Sequence, residues 1–329
     1  MVALIVTLAG FALGIASSLG LALIEWVAWV LVLPNRRQGV LTSQVDFMLD
    51  IHSPEHLLGE PIEAISFDSV KLTGLWHAAN HPRDRQRGTV LLLHGFAEDP
   101  SGLRARMDAL NARGWDVAAL DARAHGRSEG DRGTFGARES RDVAVWIDTL
   151  TASGRIAPGS TTPAVWGRSM GSAIAVRTAA ENPTRISALV LEAPYVDLEA
   201  TFVHVLRRKR MPFSRLFGRL ILRRAAKLAG EPLERPRPID VAPEVRMPVL
   251  IVHGSADSLI GMDEVRTLAE AFPEPATVIE IPGGGHNTVV DVGGAPLLDR
   301  VATFLDQAVS GRDDGCRSDQ ATTGRTFIT

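Results

Sequence analysis

One short segment constrains the fold of this 329-residue chain more than any other. The apolar stretch 163–166 leads into Gly167-Arg-Ser169-Met-Gly171, and residues 172–180 continue with a helical pattern. This order predicts a strand, a sharp turn and a helix, because the glycines two residues either side of the serine leave room in the turn. Ser169 would then stand at a helix N-terminus, where the dipole favours negative charge. We interpret Ser169 as a nucleophile; the alternative is an ordinary strand-to-helix turn with a capping serine.

A nucleophilic serine needs a base to accept its proton and an acid to orient that base. Two later strand ends supply candidates. Asp257 closely follows the apolar stretch 249–253, and the stretch 276–281 is followed by three glycines and His286. The glycines allow that loop to bend back toward the serine. The chain order Ser, Asp, His is the one expected with this kind of turn.

The same chemistry needs donors for a developing oxyanion. A predicted strand over 89–93 ends in His94-Gly95-Phe96. We expect the backbone amides of Phe96 and Met170 to form the oxyanion hole, since these donors are set by their position after a strand and after the serine.

Other polar residues have competing interpretations. Asp121 and Glu192 also follow predicted strands and stay open as alternative acids, although Asp257 has the better chain position. For His94, His125 and His253 a structural role at a strand end or loop is favoured over catalysis. The sequence shows no metal site and no cofactor motif.

These motifs together resemble the α/β-hydrolase superfamily over roughly residues 60–309, and within it the monoglyceride-lipase and serine-aminopeptidase-like branch. The resemblance rests on His94-Gly95-Phe96, Asp121-x-Arg-x-His125-Gly126-x-Ser128, Gly167-x-Ser169-x-Gly171, His253-Gly-x-x-Asp257, Gly285-His286 and the segment 134–142. It implies Ser169 as nucleophile, His286 as base and Asp257 as orienting acid. Ala124 departs from the glycine that this branch usually has before its His-Gly pair.

The N-terminus is a second informative feature. Residues 2–33 are apolar except for small polar residues and one charge, Glu25. The run is longer than the ~20 residues that a bilayer core requires, and no basic region precedes it as in a cleavable signal peptide. We predict a transmembrane anchor over 1–33, with Glu25 near its lipid interface. A buried helix is the alternative. Because Arg36 and Arg37 follow it, the catalytic domain is expected on the cytoplasmic side.

The order of strand and helix patterns after the N-terminal segment predicts one α/β domain over 61–309. A linker over 34–60 precedes it, and a disordered tail over 310–329 follows it. Strand-helix alternation predicts a mostly parallel eight-stranded sheet with helices on both faces and an antiparallel start. The alternation stops at about 195–247, where the resemblance to α/β hydrolases implies a helical cap insertion.

The cap segment is strongly basic. Residues 202–230 contain nine Lys and Arg and no acidic residue, although the whole chain has a net charge of −3. Four of these cations are spaced by four residues and predict one helical stripe: Arg215, Arg219, Arg223 and Lys227. We expect this stripe either to contact anionic lipid or to be a solvated cap surface.

The expected function is therefore that of a membrane-anchored serine hydrolase that cleaves an ester or thioester of a lipophilic acyl substrate. An acyltransferase with the same three residues and a non-catalytic membrane-bound binding module are the alternatives. The near balance of 35 basic and 38 acidic residues predicts no nucleic-acid partner, and the single cysteine excludes an intramolecular disulfide.

Overall fold

The computed structural model describes residues 18–33, 59–79, 87–156 and 162–313. These ranges contain one sheet with the order β1-β2-β4-β3-β5-β6-β7-β8. Its strands are β1 (Glu60–Ile65), β2 (Lys71–His77), β3 (Gly88–Leu93), β4 (Trp115–Leu120), β5 (Ala164–Arg168), β6 (Leu189–Glu192), β7 (Val249–Gly254) and β8 (Thr277–Ile281). The β1–β2 and β2–β4 pairs are antiparallel, and all other pairs are parallel. The predicted mostly parallel eight-stranded sheet is confirmed.

Helices cover both faces of this sheet. In chain order the helices are α1 (residues 18–32), α2 (Arg104–Asn111), α3 (Glu139–Ala152), α4 (Met170–Glu181), α5 (Leu198–Arg208), α6 (Ser214–Ala229), α7 (Pro238–Val241), α8 (Met262–Ala271) and α9 (Val289–Asp313). Helices α3, α4 and α8 pack on one face, and α2 and α9 pack on the other. Leu91 and Leu92 of β3 belong to opposite faces. Strands buried on both faces explain the continuous apolar runs of the sequence.

Helices α5, α6 and α7 lie between β6 and β7, within the predicted cap segment. Gly218 allows α5 and α6 to approach closely, since a Cβ there would lie 2.7 Å from Val203 Cγ2. The four cations of the stripe are exposed on α6, and Arg219 pairs with Glu199 of α5. Phe213, which directly precedes α6, is 77% exposed.

Residues 1–17 of the predicted anchor lie outside the described residues, and its described part is the helix α1. Within the described ranges, we find no helix with both the length and the apolarity that membrane crossing requires. Ala28 and Val32 of α1 are buried in a cluster with α6 residues. Glu25, predicted to lie near the lipid interface, binds Arg224 of α6 instead. The second half of α1 is therefore part of the folded protein, because the cap buries its apolar side and pairs its one charge.

The predicted linker and the predicted tail lie mostly outside the described residues. Strand β1 begins at Glu60, and most of the predicted linker, residues 34–58, lies outside them. Helix α9 continues to Asp313, four residues past the predicted end of the domain, with a kink at Gly294. The predicted disordered tail otherwise lies outside the described residues and stays a prediction.

Candidate active site

Ser169 occupies the turn between β5 and α4 with a left-handed backbone, at φ 50° and ψ −111°. Only glycine fits two residues before it and two residues after it. A Cβ at Gly167 would lie 2.1 Å from the carbonyl oxygen of Gly171, and a Cβ at Gly171 would lie 2.3 Å from that of Leu93. The strained turn holds Ser169 at the carboxyl end of the central strand and at the start of a helix, as the sequence pattern indicates.

The loops after β7 and β8 bring the predicted acid and base to this serine. His286 Nε2 lies 3.0 Å from Ser169 Oγ, and His286 Nδ1 lies 2.7 Å from Asp257 Oδ2. A carboxylate can only accept a hydrogen bond, so Nδ1 donates to Asp257. That tautomer leaves Nε2 as an acceptor for the serine proton. The arrangement is one in which His286 can act as a general base.

Asp257 is held in its charged form. Its side chain is fully buried, and its Oδ1 accepts the backbone amides of Leu259 and Ile260 at 2.8 and 3.1 Å. Burial by itself would raise the pKa of Asp257. The hydrogen bond from His286, the charge that His286 carries when it is protonated, and the Leu259 amide together outweigh burial and hold the pKa of Asp257 below its ordinary value. An ionised Asp257 can stabilise the imidazolium that forms during proton transfer.

The segments expected to supply the oxyanion hole also meet here. Gly171 contacts the backbone at Leu93 and His94, so the first turn of α4 lies against the end of β3. Met170 is the first residue of α4, and its amide has no carbonyl one turn earlier in the helix. Phe96 follows His94 on the neighbouring loop. The structure thus brings both predicted segments to the same end of the sheet.

The three histidines for which a structural role is expected have structural partners. His94 Nδ1 donates to the Gly95 carbonyl and its Nε2 accepts the Ala122 amide, at 2.8 and 3.0 Å. His125 Nδ1 donates to a backbone carbonyl, and burial lowers the pKa of His125 to about 4. Burial also lowers the pKa of His253, whose Nε2 lies 3.0 Å from a carbonyl oxygen.

The two alternative acids are engaged elsewhere. Asp121 accepts the Thr73 hydroxyl at 2.9 Å. Glu192 is fully buried and accepts hydrogen bonds from Arg106 and from the Trp166 indole. Burial would raise the pKa of Glu192, but Arg106 outweighs it and holds that pKa below its ordinary value. Neither carboxylate takes the place of Asp257 beside His286.

Phe135 is a residue near the site that sequence reasoning did not single out. Its ring stacks on Phe96, with centroids 5.2 Å apart and an interplanar angle of 17°. Phe135 also packs against the hydrophobic cluster that α1 and α6 form. No sequence signal links positions 96 and 135, because the contact arises only when their loops fold to the same sheet edge.

Comparisons with known proteins identify similar families and relatives. The family described as serine aminopeptidase, S33, matches residues 84–239, and the family described as TAP-like protein matches 214–316. The chain is 29% identical to the uncharacterized protein Rv2307c of Mycobacterium tuberculosis, over 77% of this chain and 82% of that protein. It is also 29% identical to the monoacylglycerol lipase of Mycolicibacterium smegmatis, over 68% and 78% of the two chains.

Solved structures show the same fold. The Pyrococcus furiosus esterase Pf2001 aligns with a TM-score of 0.65 and 23% identity, over 85% of this chain and 98% of that one. The chain has the α/β-hydrolase fold. This hydrolase is of the esterase- and lipase-like class.

Proposed function

We propose that this hydrolase cleaves the carboxylic ester or thioester of a lipophilic acyl substrate through an acyl-enzyme on Ser169. The observation that supports this most strongly is the hydrogen-bonded series from Ser169 through His286 to the buried Asp257. The similarity to a protein named monoacylglycerol lipase supports an acyl ester as substrate.

The proposed reaction has two halves. Ser169 Oγ attacks the acyl carbon while His286 Nε2 takes its proton, and the amides of Phe96 and Met170 receive the oxyanion. The tetrahedral intermediate collapses, and the imidazolium returns the proton to the departing alcohol or thiol. Water then attacks the acyl-enzyme with His286 as base, and the carboxylic acid leaves as Ser169 regains its proton.

The substrate class can be tested with a set of p-nitrophenyl esters of rising chain length, a matched thioester and a matched anilide. We expect the ester and thioester to be cleaved and the anilide to be much slower, with a preference for longer chains. Adding an alcohol such as glycerol separates hydrolysis from transfer. Free acid should dominate among the products. A dominant acylated acceptor would instead identify an acyltransferase, and cleavage of none of these substrates would refute the proposal.

We further propose that the apolar N-terminal segment associates this hydrolase with a membrane, with the catalytic domain on the cytoplasmic side. Support comes from the sequence, which has no charged side chain before Glu25. The full chain should stay in the membrane fraction after a carbonate wash, and release into the wash would contradict membrane insertion. Cys316, the single cysteine, should react with a membrane-impermeant maleimide only after cells are permeabilised.

The exposed α6 stripe is proposed to add affinity for anionic lipid. Each cation near such a surface contributes on the order of 1 kcal/mol and is screened by salt. The full chain should therefore float with phosphatidylglycerol-containing vesicles more strongly than with phosphatidylcholine vesicles. Glutamine at Arg215, Arg219, Arg223 and Lys227 should remove that difference. An unchanged difference would show that the stripe is a solvated cap surface.

A further inference from the structure

Arg168 is the last residue of β5 and directly precedes the nucleophile. Its side chain is only 8% exposed, and its guanidinium group reaches two other loops. Nη1 donates to Glu98 Oε2 at 3.1 Å, and Nη2 donates to Asn287 Oδ1 at 3.0 Å. The sequence motif draws attention to Ser169 and its glycines, but it assigns nothing to this position.

Both partners of Arg168 adjoin residues of the proposed chemistry. Glu98 Oε2 also accepts the amide of Gly95 at 2.9 Å, and Gly95 directly precedes Phe96. Asn287 directly follows His286. One guanidinium therefore connects the nucleophile turn, the loop of the proposed oxyanion donor and the loop of the base.

Pairing with Glu192 does not account for this arrangement. The buried carboxylate of Glu192 is nearby, but it takes its hydrogen bonds from Arg106 and Trp166. Arg168 Nε stays 3.9 Å from Glu192 Oε1. The two close contacts of the Arg168 guanidinium go instead to the loops that flank the serine.

We propose that Arg168 is a positioning residue for the acyl-transfer site, acting through Glu98 and Asn287. This inference rests on the proposed function of Ser169 and His286. Attack and oxyanion stabilisation need the reacting groups placed within a fraction of an ångström. The planar guanidinium suits this task because its two Nη atoms have a fixed separation, which the single ammonium of lysine cannot reproduce.

The test compares Arg168→Met and Arg168→Lys with Asn287→Leu and with the Arg168→Met/Asn287→Leu double variant. Turnover of a short soluble ester is measured per active site, counted by fluorophosphonate labelling, and the melting temperature is recorded in parallel. We expect Arg168→Met to lower kcat about 10- to 100-fold with little change in KM. Arg168→Lys should recover melting temperature but only part of kcat. The double variant should lose less than the product of the single losses.

Arg106→Lys is the matched control, since Arg106 is a buried arginine of the same cluster with hydrogen bonds to Glu192 and Gly102. It should lower the melting temperature and leave kcat per active site nearly unchanged. Wild-type kcat per active site in folded Arg168→Met, or an equal kcat loss in Arg106→Lys, would overturn the positioning role. A wild-type chain that neither reacts with the probe nor cleaves esters would instead refute the proposed function, and this inference with it.

Discussion

Replacing Ser169 with alanine is expected to lower ester turnover by roughly 10⁴- to 10⁶-fold, because the proposed acyl-enzyme forms on Ser169. The fold should survive, since alanine is no larger than serine and the turn is set by Gly167 and Gly171. Steady-state turnover of a short ester, with the melting temperature as a measure of folding, checks this expectation.

Ser172→Ala provides the matched control in the same turn. The Ser172 hydroxyl donates to the backbone carbonyls of Gly167 and Glu192, at 2.7 and 3.0 Å. Its loss should reduce stability while turnover per active site stays near wild type. If Ser169→Ala kept a hundredth or more of wild-type turnover, the reaction would not pass through Ser169.

His286→Ala should have an effect of similar size, and Asp257→Asn a smaller one of roughly 10⁴-fold. The difference follows from their roles. In the proposed mechanism His286 transfers the proton, whereas Asp257 fixes the imidazole tautomer and stabilises its cation through the 2.7 Å hydrogen bond. Turnover of each variant on a short ester, per folded molecule, measures both losses.

Glu192→Gln distinguishes this assignment from the alternative acid. Because Glu192 pairs with Arg106 inside the protein, the variant should be less stable but should keep most of its turnover per active site. Near wild-type turnover in Asp257→Asn together with an inactive Glu192→Gln would reverse the assignment of the acid.

The sequence predicted the sheet and the three strand-end residues because both depend on short-range patterns. Apolar runs bounded by turns mark buried parallel strands, and the carboxyl ends of those strands meet at one edge. The meeting of Ser169, Asp257 and His286 can therefore be predicted without knowing how side chains from distant segments pack. Their positions do not by themselves establish catalytic roles, which the variants described above test.

The features that escaped prediction depend on contacts between distant segments. Glu25 was expected near lipid, yet it binds Arg224 almost two hundred residues later. Arg168 meets Glu98 and Asn287 only because three loops converge. Hydrophobic periodicity indicates which residues are buried, but it does not indicate what buries them. The same pattern in α1 therefore fits contact with lipid or with protein.

The central claim is that Ser169 is the nucleophile of a hydrolase. The most direct measurement is reaction of the intact full chain with a fluorophosphonate, followed by proteolysis and mass spectrometry of the modified peptide. The account predicts one adduct per chain on Ser169, absent from Ser169→Ala and greatly slowed in His286→Ala. An adduct on another residue, or ester cleavage by a chain that takes up no probe, would contradict it.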